Sequence, residues 1–177
     1  MKLKNIDVAA PVQYGPSVRG LSCYMSNYQF VHFLRIVDFF EHQVGLPVSA
    51  RTIVNINAEA AAALSGFALV AKVNLIKSDL LHADETGLNI AGKNAWLHSA
   101  SNDLWLMFVV SPKRGNVGMD NIGILSAFRG ILIHDNWAPY FKYECEHAIC
   151  NAHQVRELTR IVEMDGFSWA KKMIEFL

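Results

Sequence analysis

Two stretches of this chain repeat one design: Leu80-Leu81-His82-Ala83-Asp84 and Ile131-Leu132-Ile133-His134-Asp135, each a short apolar run closed by an aspartate. Apolar runs of that length, bounded by polar residues, read as strands. Side chains at strand ends project into the crevice beside a sheet, so two neighbouring strands would bring both carboxylates to one point that a metal ion can bridge. The repeat therefore asks for a sheet, and for these two strands to be neighbours in it.

The residues around the repeat supply the other elements. Ala95 to Ala100 and Leu104 to Val110 read as strands separated by the polar turn Ser101-Asn102-Asp103, and with Leu80 to Asp84 they predict an antiparallel meander. Gly118 to Phe128 reads as a helix, Ile131 to His134 as a strand, Trp137 to Tyr143 as a brief helix and His147 to Cys150 as a fifth strand. His153 to Met164 and Phe167 to Leu177 read as two further helices. Three strands, helix, strand, helix, strand, helix is the element order of an RNase H-like α/β fold, an order that many other α/β domains share loosely.

Upstream the texture is helical. Met1 to Gly20 reads as an irregular lead broken by Pro11, Gly15, Pro16 and Gly20. Phe30, Phe33, Leu34, Val37, Phe40 and Val44 recur at three- and four-residue spacing, predicting a helix from near Asn27 to Gly45. After the turn Gly45-Leu46-Pro47, Ser49 is a fair N-cap for a second helix running through Ile53, Ile56, Ala60 and Leu64 towards Leu75, with Gly66 as its weak point. Such a pair serves either as a helix-turn-helix that reads DNA or as packing for a neighbouring domain, and Arg35 and Arg51 are its obvious phosphate partners. The expected organisation is a helical lead-in over 1–78 and a mixed-sheet core over 79–177.

Composition narrows the setting. With 177 residues and 52% hydrophobic content, the chain can bury one substantial core beside a smaller helical region. Its 16 basic and 16 acidic residues cancel, so no strongly basic surface points to nucleic acid. Up to Ser78 there are seven Lys/Arg against four Asp/Glu; after it, nine against twelve. Acid concentrated in this way suits either a divalent-metal site, where the ion supplies the charge that meets phosphate, or ordinary solvated surface. Three cysteines with no secretory signal ahead of them imply a reducing, cytoplasmic setting, and no apolar stretch is long enough for a membrane span.

Asp84 and Asp135 are the leading metal-ligand candidates, with Glu85 and Thr86 adding polar groups beside the first; capping is the alternative, Asp135 standing well placed as an N-cap before Asn136-Trp137. If they share a metal, their carboxylates should lie on the order of 4–7 Å apart. Lys113 and Arg114 form a basic pair at a strand end, suited to DNA phosphates or to plain solvation. Trp96, Trp105, Trp137 and Trp169 read as packing residues rather than base-stacking platforms, and His82 and His134 as packed rather than catalytic. Glu157, on a helix after the fifth strand, is the best internal candidate for a third carboxylate, although a surface salt bridge suits it better.

Five motifs in order then carry a resemblance: Val12-Gln13-Tyr14-Gly15-Pro16; Gly45-Leu46-Pro47-Val48-Ser49 with Thr52; His82-Ala83-Asp84-Glu85-Thr86; His134-Asp135-Asn136-Trp137 with Tyr140; and Cys150-Asn151-Ala152-His153 with Arg156-Glu157-Leu158. Together, from about Ala10 to Leu177, they resemble the transposases of bacterial insertion-sequence family sixty-six. The resemblance implies a DDE-type enzyme with an RNase H-like core, in which Asp84 and Asp135 are the first two catalytic aspartates and hold Mg²⁺ or Mn²⁺. It further implies DNA ends and target DNA as partners, a homo-oligomer on DNA, and strand nicking followed by strand transfer. Cys150 and His153 match a short Cys/His motif after the fifth strand, for which packing or hydrogen bonding near the site suits better than a zinc site. The third catalytic residue, a glutamate, is expected beyond Leu177 and a DNA-binding region upstream, so the chain reads as a central piece of such an enzyme. A non-catalytic DNA-binding or dimerisation remnant of a transposase is the alternative, and an unrelated metal-dependent nuclease using Glu157 a weaker one.

Overall fold

The computed structural model describes residues 14–177; the start of the expected lead, with Pro11, and Val12-Gln13 of the first motif lie outside the described residues. The chain divides into two compact units between Gly66 and Phe67.

In the first unit the chain becomes helical earlier than its glycines and prolines suggest. Pro16 opens α1 (Pro16–Cys23) at a position where its missing N–H is no loss, and α1 runs on through a π-helical turn at Tyr24–Tyr28. The single helix expected from Asn27 is therefore broken: Asn27 belongs to that turn, Phe30 takes a positive φ of 53°, and α2 (Phe33–Phe39) starts only after His32, whose Nδ1 accepts the Leu34 N–H. A second π-helical turn, Phe40–Val44, ends at Gly45 in the left-handed conformation, φ 70°, which glycine adopts without a Cβ penalty. Ser49 then caps α3 (Ala50–Ala63), its hydroxyl accepting the Thr52 N–H at 3.1 Å. Ile36, Phe40, Val48 and Ile53 form the buried core of this unit.

The break in the second helix of the pair falls at Leu64, close to the expected weak point, and α4 (Ser65–Ile76) follows. Leu75 of α4 is fully buried in the core of the second unit. That unit is built on β1 (Leu80–Ile90), β2 (Lys93–Ser101), β3 (Leu106–Ser111), β4 (Ile131–His134) and β5 (Glu146–Ile149), in the order β3-β2-β1-β4-β5. The first three strands form an antiparallel meander, whereas β4 pairs parallel with both β1 and β5. This is the mixed five-stranded α/β sheet flanked by helices that the element order predicts.

Helix α5 (Asn116–Ile122) joins β3 to β4 and packs on β3 and β2, its Met119 and Ile122 belonging to the same buried core as Leu81, Ala83 and Leu132. It is shorter than the expected Gly118 to Phe128 because Gly123, φ 66°, ends it in a left-handed turn. Gly118 is required where it stands: a Cβ there would overlap the Lys113 carbonyl oxygen and His98 Nε2. A 3₁₀ turn, Ala138–Lys142, joins β4 to β5, and α6 (Asn151–Asp165) and α7 (Ser168–Phe176) follow and pack on each other. Strand β1 is also longer than expected. It continues past Asp84 to Ile90 because β2 pairs with it that far, turning back through Ala91 and Gly92, both at positive φ. No single helix among the described residues is long and apolar enough to cross a membrane.

Candidate active site

The parallel ladder between β1 and β4 pairs Leu80 with Ile131, Leu81 with Leu132 and His82 with Ile133. Two residues past the last pair come Asp84 and Asp135, which the same register and the period of two, if continued, would put at one level on the same side of the sheet. Strand β4 stops at His134, so Asp135 is the first residue of the loop that follows. Both carboxylates lie near Tyr140: burial raises the pKa of its phenol, its hydrogen bond to Glu85 raises it further, and the charges of Glu85, Asp135 and Asp84 add to the effect.

Each aspartate is held by one oxygen. Glu85 N–H donates to Asp84 Oδ1 at 2.9 Å, and Trp137 N–H donates to Asp135 Oδ1 at 3.0 Å. Neither second oxygen takes a hydrogen bond from the described residues; Asp84 Oδ2 has His153 Nε2 at 3.9 Å, beyond hydrogen-bond reach. The site thus offers two hard oxygen donors on partly exposed carboxylates, a donor set that suits Mg²⁺ or Mn²⁺. It remains a two-carboxylate set: the described residues contain no group of three or more His, Cys, Asp and Glu side chains arranged to hold a metal ion. In front of Asp84 an open depression is lined by Thr86, Leu97, Ser99 and Phe108.

His153 comes close to Asp84 because β5 ends at Ile149 and α6 starts at once after its N-cap Cys150, which puts His153 in the first helical turn. Its Nδ1 is buried with no partner among the described residues. Cys150 is a free, partly buried thiol.

The opposite side of β1 holds a second polar cluster. Alternation turns Glu85 away from Asp84 onto the α5 side, where its side chain is 1% exposed. Its Oε1 accepts from Arg114 Nε at 3.1 Å and from the terminal guanidinium nitrogen at 2.9 Å, while Oε2 accepts the Tyr140 hydroxyl at 2.6 Å. The guanidinium lies 4.8 Å from the ring centre of Trp96 and 4.2 Å from that of Trp137. The Tyr140 ring stacks on buried His134, whose Nδ1 accepts the Asn136 N–H and whose Nε2 meets His147 Nδ1 at 3.1 Å; His147 Nε2 meets the Tyr143 carbonyl. Only neutral rings satisfy this run of donors and acceptors together, and burial holds the pKa of His134 below the ordinary histidine range, the adjacent His147 imidazole lowering it further against the pull of Asp135.

The sequence model of the transposase IS66 family matches residues 11–177. The chain belongs to the IS66 transposase family. No curated protein is similar enough to this transposase to add to that.

Set on this IS66 transposase, the other candidate residues fall into different surroundings. Lys113 is exposed and makes no ion pair among the described residues, whereas Arg114 is committed to Glu85 and the two tryptophans. Glu85 is no metal ligand beside Asp84, because adjacent strand residues point to opposite sides of the sheet. His134 is packed as expected, but His82 is exposed, being on the same side of β1 as Asp84. Glu157 is exposed and paired with Arg160 at 3.3 Å. The Glu85–Arg114–Tyr140 cluster was missed because each residue reads singly as surface, motif or packing; the period-two pattern across Asp84-Glu85 was the signal that one of the two must be buried and partnered.

Proposed function

We propose that this IS66 transposase carries DDE-type chemistry on DNA, with Asp84 and Asp135 as the metal-binding and catalytic carboxylates. The observation that carries the reading is that the two aspartates each follow the last paired residues of the parallel strands β1 and β4 by two positions, one oxygen of each held by a backbone N–H and the other left for a ligand. Surface acids serving only as caps have no reason to take matching positions after that ladder. Family membership supports DNA, both element ends and target, as the substrate and partner.

Mg²⁺, or Mn²⁺ in its place, would be held between Asp84 and Asp135 and would supply the positive charge that offsets negative charge building on the phosphate oxygens during displacement. The chain's own residues bind and orient. Glu85 N–H and Trp137 N–H fix the two carboxylates, and His153 Nε2 stands 3.9 Å from Asp84 Oδ2. In the reaction class proposed, water attacks a phosphodiester and its 3′ oxygen leaves as a hydroxyl; that 3′-hydroxyl then attacks a target phosphodiester, whose own 3′ oxygen leaves, with the protein acting as a homo-oligomer on that DNA. The surplus of acid over base after Ser78 accords with a site that meets phosphate through bound cations.

Two carboxylates place one hard cation, and a two-metal displacement asks for a third. Glu157 is already engaged by Arg160, so we assign it no role in the site. The account therefore expects weak Mg²⁺ or Mn²⁺ binding and no efficient cleavage from these two ligands alone. Metal-dependent nicking of end-labelled DNA by the purified chain tests this. Efficient cleavage that disappears in Glu157→Ala would replace the ligand set with one that includes Glu157. DNA binding without any metal affinity would favour the non-catalytic reading.

A further inference from the structure

The ladder that aligns β1 with β4 ends at His82 and Ile133, so no sheet hydrogen bond fixes Asp135 relative to Asp84. Something else must hold that spacing if the two oxygens are to meet one ion. The two backbone donors that orient the aspartates belong to Glu85 and Trp137, and the side chains of both meet the same group, the Arg114 guanidinium. Trp96, across the β1–β2 hairpin from Gly87, meets that guanidinium as well. The remaining oxygen of Glu85 is taken by Tyr140, whose ring stacks on His134, the residue before Asp135.

We propose that Arg114 is a positioning residue for the aspartate pair, bridging Glu85 and Trp137 so that Asp84 and Asp135 keep a common geometry where the sheet no longer holds them; this rests on the reading of those aspartates as metal ligands. A planar guanidinium can give two N–H groups to a carboxylate while its faces lie on indole rings. The ammonium of lysine keeps the charge but has neither the fork nor the flat face. Arg114 thus acts from the opposite side of β1, through the two residues that orient the carboxylates, and the exposed basic side chain that suited a phosphate contact is given a different task. Tyr140 completes the device by holding the second Glu85 oxygen and, through His134, the start of the loop that carries Asp135.

The test is Mn²⁺ affinity of the whole chain, read from the electron paramagnetic resonance signal of free Mn²⁺ below all unfolding transitions. The proteins compared are wild type, Arg114→Lys, Tyr140→Phe, Asp84→Asn and the core control Ile124→Val. Circular dichroism checks that each is folded. Loss of outer-shell support commonly weakens metal binding by about 10- to 100-fold. We expect about a tenfold weaker Mn²⁺ affinity in Arg114→Lys and Tyr140→Phe and wild-type affinity in Ile124→Val. Wild-type affinity in both folded bridge variants, with binding lost in Asp84→Asn, would overturn the inference alone. The same holds if Arg114→Lys lowers DNA affinity while leaving Mn²⁺ binding intact, which would make Arg114 a phosphate contact, or if the core control weakens binding equally. Absence of Mn²⁺ binding in wild type, or its persistence in Asp84→Asn, would overturn the metal reading and this inference with it.

Discussion

Truncating Arg114 to alanine leaves a carboxylate stranded in the protein interior. Glu85 is 1% exposed and Arg114 is the cation paired with it, so Arg114→Ala removes both hydrogen bonds to Oε1 and the whole counter-charge they carry. Breaking a buried ion pair from one side costs about 3–5 kcal/mol. Here the arginine is itself 43% exposed, so water screens the pair and the lower end of that range applies. Loss of the two indole contacts adds about 0.5–1 kcal/mol each at a partly exposed site. A total of about 4–5 kcal/mol results, a large part of the roughly 5–15 kcal/mol that holds a domain folded. In urea, with a slope of about 2 kcal/mol per molar, the unfolding midpoint should fall by about 2–2.5 M, read by tryptophan fluorescence. The double variant Arg114→Met with Glu85→Leu should lose less than Arg114→Ala alone, because no charge then remains to be buried. A midpoint for Arg114→Ala within about 0.5 kcal/mol of wild type, or strict additivity of the two sites, would refute a coupled buried pair.

Three smaller expectations follow from the same structure. The pKa of His134 is depressed in the folded state, so its contribution to stability is full above the unfolded value of about 6.5 and is lost as pH falls through the lower folded value. The fall in unfolding midpoint between about pH 7 and 5 should accordingly be shallower in His134→Gln, and an unchanged slope would contradict the neutral, buried ring. Gly118→Ala forces a methyl group against the Lys113 carbonyl and His98 and should cost about 1–3 kcal/mol in chemical denaturation; a neutral result would mean that α5 shifts freely. Ser49→Ala removes the cap of α3 and should cost about 1 kcal/mol, measurable in the same assay, with no loss expected if the Thr52 N–H finds another acceptor.

The sheet was legible because its signal is local: alternating and apolar runs marked all five strands, and the repeated run-plus-aspartate design put Asp84 and Asp135 on neighbouring strands. Strand ends were less legible. Asp84 is not the end of β1 but the level at which its parallel neighbour stops, something only the pairing of β1 with β2 determines. Helix starts in the first unit were misjudged where a π-helical turn and a positive φ at Phe30 interrupt an apolar period that continues across them. The polar cluster beneath the aspartates was hidden for a different reason. Glu85, Arg114 and Tyr140 are 29 and 55 residues apart in the chain, and no spacing rule links them until the fold closes.

The central claim is that Asp84 and Asp135 hold one divalent cation between them. Isothermal titration of Mn²⁺ into the purified wild-type chain and into Asp84→Asn, Asp135→Asn and Glu157→Ala measures it directly. The account predicts one weak site in the wild type, absent from each aspartate variant and unchanged in Glu157→Ala. Binding that survives in Asp84→Asn and Asp135→Asn, or that vanishes in Glu157→Ala, would contradict it.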